Sequence, residues 1–387
     1  MTSVERDIEA YFKEELPVMA GPLLKEYVVE WLGEERCLAL ARKSQGLFIY
    51  ATTTARVLAD RNVGRDPEKQ LGRLLSFGGP VHPDDIYRQV MNRVCPETIE
   101  DDILTLFRSV LGALVVAEEP LNTYTLASLL CSKRSEQPEL SERLRMKVLR
   151  YLQAVFIVPG VDTFNPAPND QPIRFIHASC IDYLTDSSRC DPRFRINVTK
   201  EHERMAIRCF HGMRDLKPNI CDLDPSPLNS EVEDFNEQMQ KHMPPGLRYA
   251  CMHVAAHVSQ APINSGDVED SVKIFAKVSL MTWLEVLGLM GRTNDAVGMA
   301  SLMELWFKSK PQQNSPPSQP PSYLIDFFGR LILHSDVALI SVRSAQATSG
   351  ALPLQNLKNV NSFVAGILHP ASGDLHRSAQ SHQSFVA

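Results

Sequence analysis

The chain has 387 residues, 44% of them hydrophobic and 22% charged, with a net charge of −6. That length exceeds what one hydrophobic core usually serves, so two or three packing units are expected. The negative charge argues against a general phosphate-backbone binder, which is normally basic, and a nucleic-acid partner is not expected.

No apolar h-region follows the acidic opening MTSVERDIEAYFKEEL, so no secretory signal is read there. The strongest apolar stretch, Val110–Ala117, falls far short of the roughly 20 residues of a membrane span, and no membrane partner is expected. Eight cysteines, Cys37, Cys95, Cys131, Cys180, Cys190, Cys209, Cys221 and Cys251, are scattered without a C-x-x-C pair. Reduced, mostly buried thiols in a soluble cytoplasmic protein are the expectation.

The first helix is expected to open on Thr2 and Glu5, spaced as a capping box in which each side chain satisfies a free backbone N–H. Ile8, Phe12 and Leu16 then share a face, and Pro17 is expected to end the pattern. Further helices are expected over 22–32 and 35–44. Gly46 leads into Leu47–Leu58, whose apolar density suggests a core helix. Pro83 with Asp84 and Asp85 opens another helix, with Ile86, Val90 and Val94 aligned.

Pro96 breaks the chain. Residues 97–117 carry a broad stripe of Ile99, Ile103, Phe107, Val110, Leu111 and Leu114. A short helix follows, capped by Asn122 or Thr123. A third, over 140–154, aligns Leu140, Leu144, Val148 and Leu152. Two strand-like runs, 155–159 and 173–177, flank a turn-rich loop over 160–172. Three helices followed by a hairpin form a winged-helix pattern, with the hairpin as the wing.

Helices are expected again over 200–213, 231–241, 246–259, 268–290 and 294–308. Between Pro311 and Pro321 five prolines sit among Gln, Asn and Ser, a composition that favours an extended linker. The expected organisation is a helical subdomain over 1–96, a winged helix over 97–198 and a helical extension over 199–309. A Pro-rich linker over 310–322, a helix over 323–345 and a disordered tail over 346–387 complete it. The fold class is mainly α.

The phosphate-loop signature G-x-x-x-x-G-K-[ST] does not occur, and no Gly-Lys dipeptide is found. A P-loop needs backbone N–H groups and a lysine together at a helix start, so tight Mg-nucleotide binding by that route is not expected. His253 and His257, with Cys251 beside them, have a spacing that can hold zinc on one helix face. Val254 occupies the place of the general-base glutamate in H-E-x-x-H, however, and a structural histidine pair without metal is the preferred reading. In HASCID, residues 177–182, His177, Ser179, Cys180 and Asp182 lie close together. On a strand end and a helix start, Ser179 or Asp182 fits a cap or a first-turn carboxylate better than a nucleophile triad. The helix before the wing carries Arg143, Arg145, Lys147 and Arg150, with Glu139 and Glu142; Arg143 and Lys147 share a face that Arg150 extends, as a DNA-reading winged helix would use. A solvated face is the simpler account.

Several stretches together resemble the region that follows the nucleotide-binding core in fungal NACHT-domain proteins of the STAND class of signalling NTPases. They are DIEAYFKEEL (7–16), ARKSQGLFIYATTTARVL (41–58), DIYRQVMNRV (85–94), LGALVVAEEPLNTYTLASLL (111–130), IRFIHASCIDYLTD (173–186) and LRYACMHVAAHV (247–258). In such relatives Walker A and Walker B precede the first of these stretches. The resemblance therefore implies a truncated relative, a partial gene product or a degenerate paralogue. It implies a regulatory lid whose helical subdomain and winged helix close over ADP. His177 aligns with the histidine that contacts the nucleotide β-phosphate in related proteins, where it would donate a hydrogen bond to the anion.

The resulting expectation is a non-catalytic regulatory or protein-interaction module with no catalytic residues, cofactor or metal. It would meet a protein partner or self-associate, and bind nucleotide weakly if at all. The alternatives are a winged-helix nucleic-acid binder, and a hydrolase active only when joined to a P-loop core.

Overall fold

A computed structural model describes residues 2–20, 25–59, 67–76, 83–131, 137–158, 171–223 and 234–309. The expected linker 310–322, helix 323–345 and tail 346–387 lie outside the described residues. The described chain is mainly α-helical, with one two-stranded sheet among the described residues. It falls into two compact units, divided between Glu201 and His202. No helix of the described residues is long and apolar enough to cross a membrane.

In the first unit, α1 spans Ser3–Ala20 and opens on the reciprocal cap read from the sequence. Thr2 N donates to Glu5 Oε2 at 2.7 Å, and Glu5 N donates to Thr2 Oγ1 at 3.2 Å. Pro17 does not end the helix. In the last turn its missing N–H forfeits a single bond, and its ring is buried beside Leu16.

Helix α2, Lys25–Ser44, is interrupted at Gly33, whose φ of 57° takes the chain out of helical geometry at the expected break between two helices. Gly46, at φ 79°, turns the chain into α3, Phe48–Ala59. Helix α4, Pro67–Ser76, was not foreseen, although Leu71 and Leu74 carry its buried stripe. These four helices close a core around Ile8, Phe12, Leu32, Leu40, Ala55 and Leu74.

Helix α5, Pro83–Val94, packs on α3 and on the later helices of this unit. A paired ion bridge fixes its start. Arg189 donates from Nε and Nη2 to Asp84 Oδ2 and Oδ1 at 2.7 and 2.6 Å, with Asp84 buried. Arg193 clamps the other end, donating to Asn92 Oδ1 and to the carbonyl of Cys95.

Helix α6, Asp101–Val116, and α7, Thr123–Leu130, follow, and Asn122 is the cap of α7, accepting from Thr125 N at 2.7 Å. The expected helix over 140–154 is broken. Helix α8, Gln137–Lys147, stops at Val148 (φ −122°, ψ −66°), and a single 3-10 turn, Leu149–Leu152, continues it. This tighter turn keeps Leu144, Val148 and Leu152 all buried, although no single helix carries them.

Strand β1, Phe156–Ile157, pairs antiparallel with β2, Arg174–Phe175, with Phe156 opposite Phe175. The hairpin is shorter than expected because the incoming strand is shared. Ile173 N donates to Leu121 O, outside the pair, while Ile176 N returns to Val155 O. The loop over 160–170 lies outside the described residues. Helix α9, Ser179–Thr185, completes the site region.

Helix α10, Val198–Gly212, carries the boundary between the units, and its first turn meets α6 closely. A Cβ on Gly112 would overlap the carboxylate of Glu201.

The second unit continues with α11, Phe235–His242, and α12, Pro245–Gln260. The expected helix 268–290 is two helices, α13, Gly266–Val278, and α14, Leu280–Leu289. They part at Ser279, where φ is −112°. Helix α15, Thr293–Lys308, packs against α12. Two indoles pin these helices: Trp283 Nε1 donates to Cys251 O at 2.9 Å and Trp306 Nε1 to Ala261 O at 3.2 Å.

Candidate functional site

His177 follows β2 and precedes α9, with its ring exposed. Its Nδ1 accepts the backbone N–H of Ser179 at 3.1 Å and lies 2.8 Å from Ser179 Oγ. Ala178 is the N-cap residue of α9, without a side-chain cap bond; the imidazole of His177 takes the first helical N–H, and the expected cap is not made by the Ser179 hydroxyl. That hydroxyl is occupied on its other side by the hydroxyl of Tyr87, 2.8 Å away on α5. Tyr87 is buried against Tyr183, with ring centroids 5.6 Å apart, and burial pushes its hydroxyl pKa up to about 12. It remains a proton donor.

Ser179 and His177 thus have the contact of a nucleophile and its base, yet the surroundings oppose acyl transfer. Such chemistry needs N–H groups aimed at a developing oxyanion. Here the backbone N–H groups of Ser179, Cys180, Ile181 and Asp182 are spent on His177 Nδ1, His177 O, Ala178 O and Ala178 O. Asp182 is an exposed first-turn carboxylate. Cys180 is buried, and its thiol pKa is raised by burial well beyond the reactive range.

No family model, curated protein or solved structure matches this chain.

The H-x-x-x-H segment of α12 is resolved into two different side chains. His257 is fully buried: its Nε2 lies 2.9 Å from the Tyr249 hydroxyl and its Nδ1 lies 3.0 Å from His202 Nδ1 on α10. Burial, with a contribution from His202 and His253, drives the His257 pKa down to about 3. His253 instead stacks on Tyr249, with centroids 4.7 Å apart. Both ring nitrogens of His257 are thus in hydrogen bonds to protein, as a structural histidine requires.

Cys251, on the same helix, is buried, and its thiol is pushed up to about 12. None of the eight cysteines forms a disulfide, and all but Cys131 are buried.

Of the basic face, Arg143 is exposed, while the side chains of Arg145, Lys147 and Arg150 lie outside the described residues. Two open hollows are found elsewhere in the first unit. One is bounded by Thr185, Ser187, Arg195 and Asn197, and the other lies between Leu121 and the Phe156–Phe175 pair.

Sequence reading missed two partners. Tyr87 has no local signal, because it meets Ser179 across 92 positions. His202 has one: it shares a helix face with Met205, Ala206 and Cys209, all buried.

Proposed function

We propose that this chain is a non-catalytic regulatory or protein-interaction module of the kind that follows the nucleotide-binding core in NACHT-type signalling NTPases. The ordered stretches that resemble this region motivate the reading. The single observation that carries it is the state of His177. Its ring is exposed, and donors of its own segment take Nδ1, which leaves Nε2–H turned to whatever approaches. That is the hydrogen-bonding form suited to an anionic oxygen such as a nucleotide phosphate.

A second feature suits a protein partner. At the start of α3, the neighbouring Leu47 and Phe48 are 40% and 42% exposed. Exposed apolar side chains that cluster mark interaction surfaces. The exposure is confined to the start of the helix, since Tyr50 and Ala51 turn inward and Phe48 meets Tyr11 edge-on at 6.0 Å.

The test is association with a separately purified NACHT nucleotide-binding core. The expected result is a complex that forms with ADP bound to that core and is weakened by His177→Ala. Absence of any ADP-dependent complex would remove the lid reading.

A further inference from the structure

We propose that Ser179 and Tyr87 are positioning residues that hold His177 as a fixed, outward hydrogen-bond donor for an anionic oxygen. A backbone N–H only donates, and that of Ser179 reaches His177 Nδ1 at 3.1 Å. A ring nitrogen that accepts carries no proton, so the neutral imidazole bears its hydrogen on Nε2.

The hydroxyls follow from this. Ser179 Oγ, 2.8 Å from the same Nδ1, must donate there, so its lone pairs are left to accept from the Tyr87 hydroxyl, also 2.8 Å away. The chain of hydrogen bonds therefore runs one way, from Tyr87 on α5 through Ser179 to His177. Its inner end is anchored, because Tyr87 is 2% exposed and packs on Tyr183. Its outer end is an exposed ring.

A ring held in this tautomer offers the approaching partner a donor and no acceptor at Nε2. Ammonium and guanidinium groups are refused there, whereas phosphate and carboxylate oxygens are matched. Ser179 is thereby more than a helix residue: one side chain ties α5 to the orientation of a surface histidine. The ligand class rests on the reading of His177 as an anion contact given above, but the positioning by Ser179 and Tyr87 does not.

The experiment is nitrogen NMR of the histidine rings in the full chain, under conditions where they are neutral, with His177 assigned by the loss of its signals in His177→Gln. The expected spectrum has Nδ1 unprotonated and Nε2 protonated. Ser179→Ala should move the tautomer ratio toward the other form by roughly fivefold, the worth of about one hydrogen bond. Ser179→Thr, which keeps the hydroxyl, should restore the wild-type ratio, and Tyr87→Phe should give a smaller shift. A mixed or Nδ1-protonated ring in the wild type, or a Ser179→Ala spectrum equal to the wild type, would overturn the proposal.

Inorganic phosphate is then titrated into the same samples. A shift of the His177 Nε2–H signal is expected, and it should be reduced in Ser179→Ala. A fixed tautomer that phosphate leaves unmoved would sink the anion reading of His177 and leave the positioning standing.

Discussion

His202 and His257 meet nitrogen to nitrogen, 3.0 Å apart at Nδ1, inside the second unit, and His257 hands its other nitrogen to Tyr249. One proton between the two Nδ1 atoms makes a hydrogen bond, and a second would set two N–H groups against each other and leave one ring a buried cation.

The sign of the pH dependence follows. Burial depresses the folded pKa of His257 to about 3 from its ordinary value of 6.5. The stability tied to its neutral form is therefore full above 6.5 and is lost as pH falls, because the unfolded chain takes up a proton that the folded chain refuses. Between neutrality and pH ~5 the loss is about 2 kcal/mol. Urea unfolding at the two pH values should show it, and His257→Gln should remove most of the difference. An unchanged pH dependence in that variant would show that the pair does not control acid stability.

The bond between Asp84 and Arg189 joins the start of α5 to the segment after α9. Asp84→Asn leaves a partly buried guanidinium without its counter-charge and should cost about 2 kcal/mol, less than a fully buried pair because Arg189 is partly exposed. A double-mutant cycle with Arg189→Met, read by thermal unfolding, should return a favourable coupling energy of about 1 kcal/mol or more. A coupling near zero would make the bridge incidental.

Phe156 and Phe175 face each other across the hairpin with centroids 4.4 Å apart, but only Phe156 is fully buried. Phe156→Ala should therefore destabilise the first unit by roughly 3–5 kcal/mol and Phe175→Ala by markedly less. Chemical denaturation of both variants decides the ranking, and equal losses would place the burial on the wrong ring.

Gly112 has no room for a side chain, since a Cβ would meet the Glu201 carboxylate. Gly112→Ala should cost about 1–3 kcal/mol, against the gain that alanine usually brings to a helix interior. A stabilised variant, measured by its Tm, would show that Glu201 moves aside without cost.

What the sequence made legible was local. The Thr2–Glu5 cap, the Asn122 cap, the Ile8–Phe12–Leu16 stripe and the Gly33 break all depend on residues within a turn or two of one another, where spacing alone fixes the geometry. The failures were of two kinds. Pro17 and the stretch around Val148 show backbone decided by packing: the helix runs through the proline, and it is broken where no proline or glycine marks the place. Tyr87–Ser179 and His202–His257 are contacts between distant positions, and no spacing rule announces them. In HASCID the Ser179 hydroxyl does not cap α9, because it is spent on Tyr87 and His177, while the His177 ring takes the first helical N–H.

Calorimetric titration of the full chain with Mg-ATP and with Mg-ADP, paired with an assay for released phosphate, tests the non-catalytic reading most directly. With no Gly-Lys element to cradle phosphates, no binding heat at low micromolar nucleotide and no turnover are expected. A clear micromolar Kd, or phosphate release above the uncatalysed rate, would contradict it.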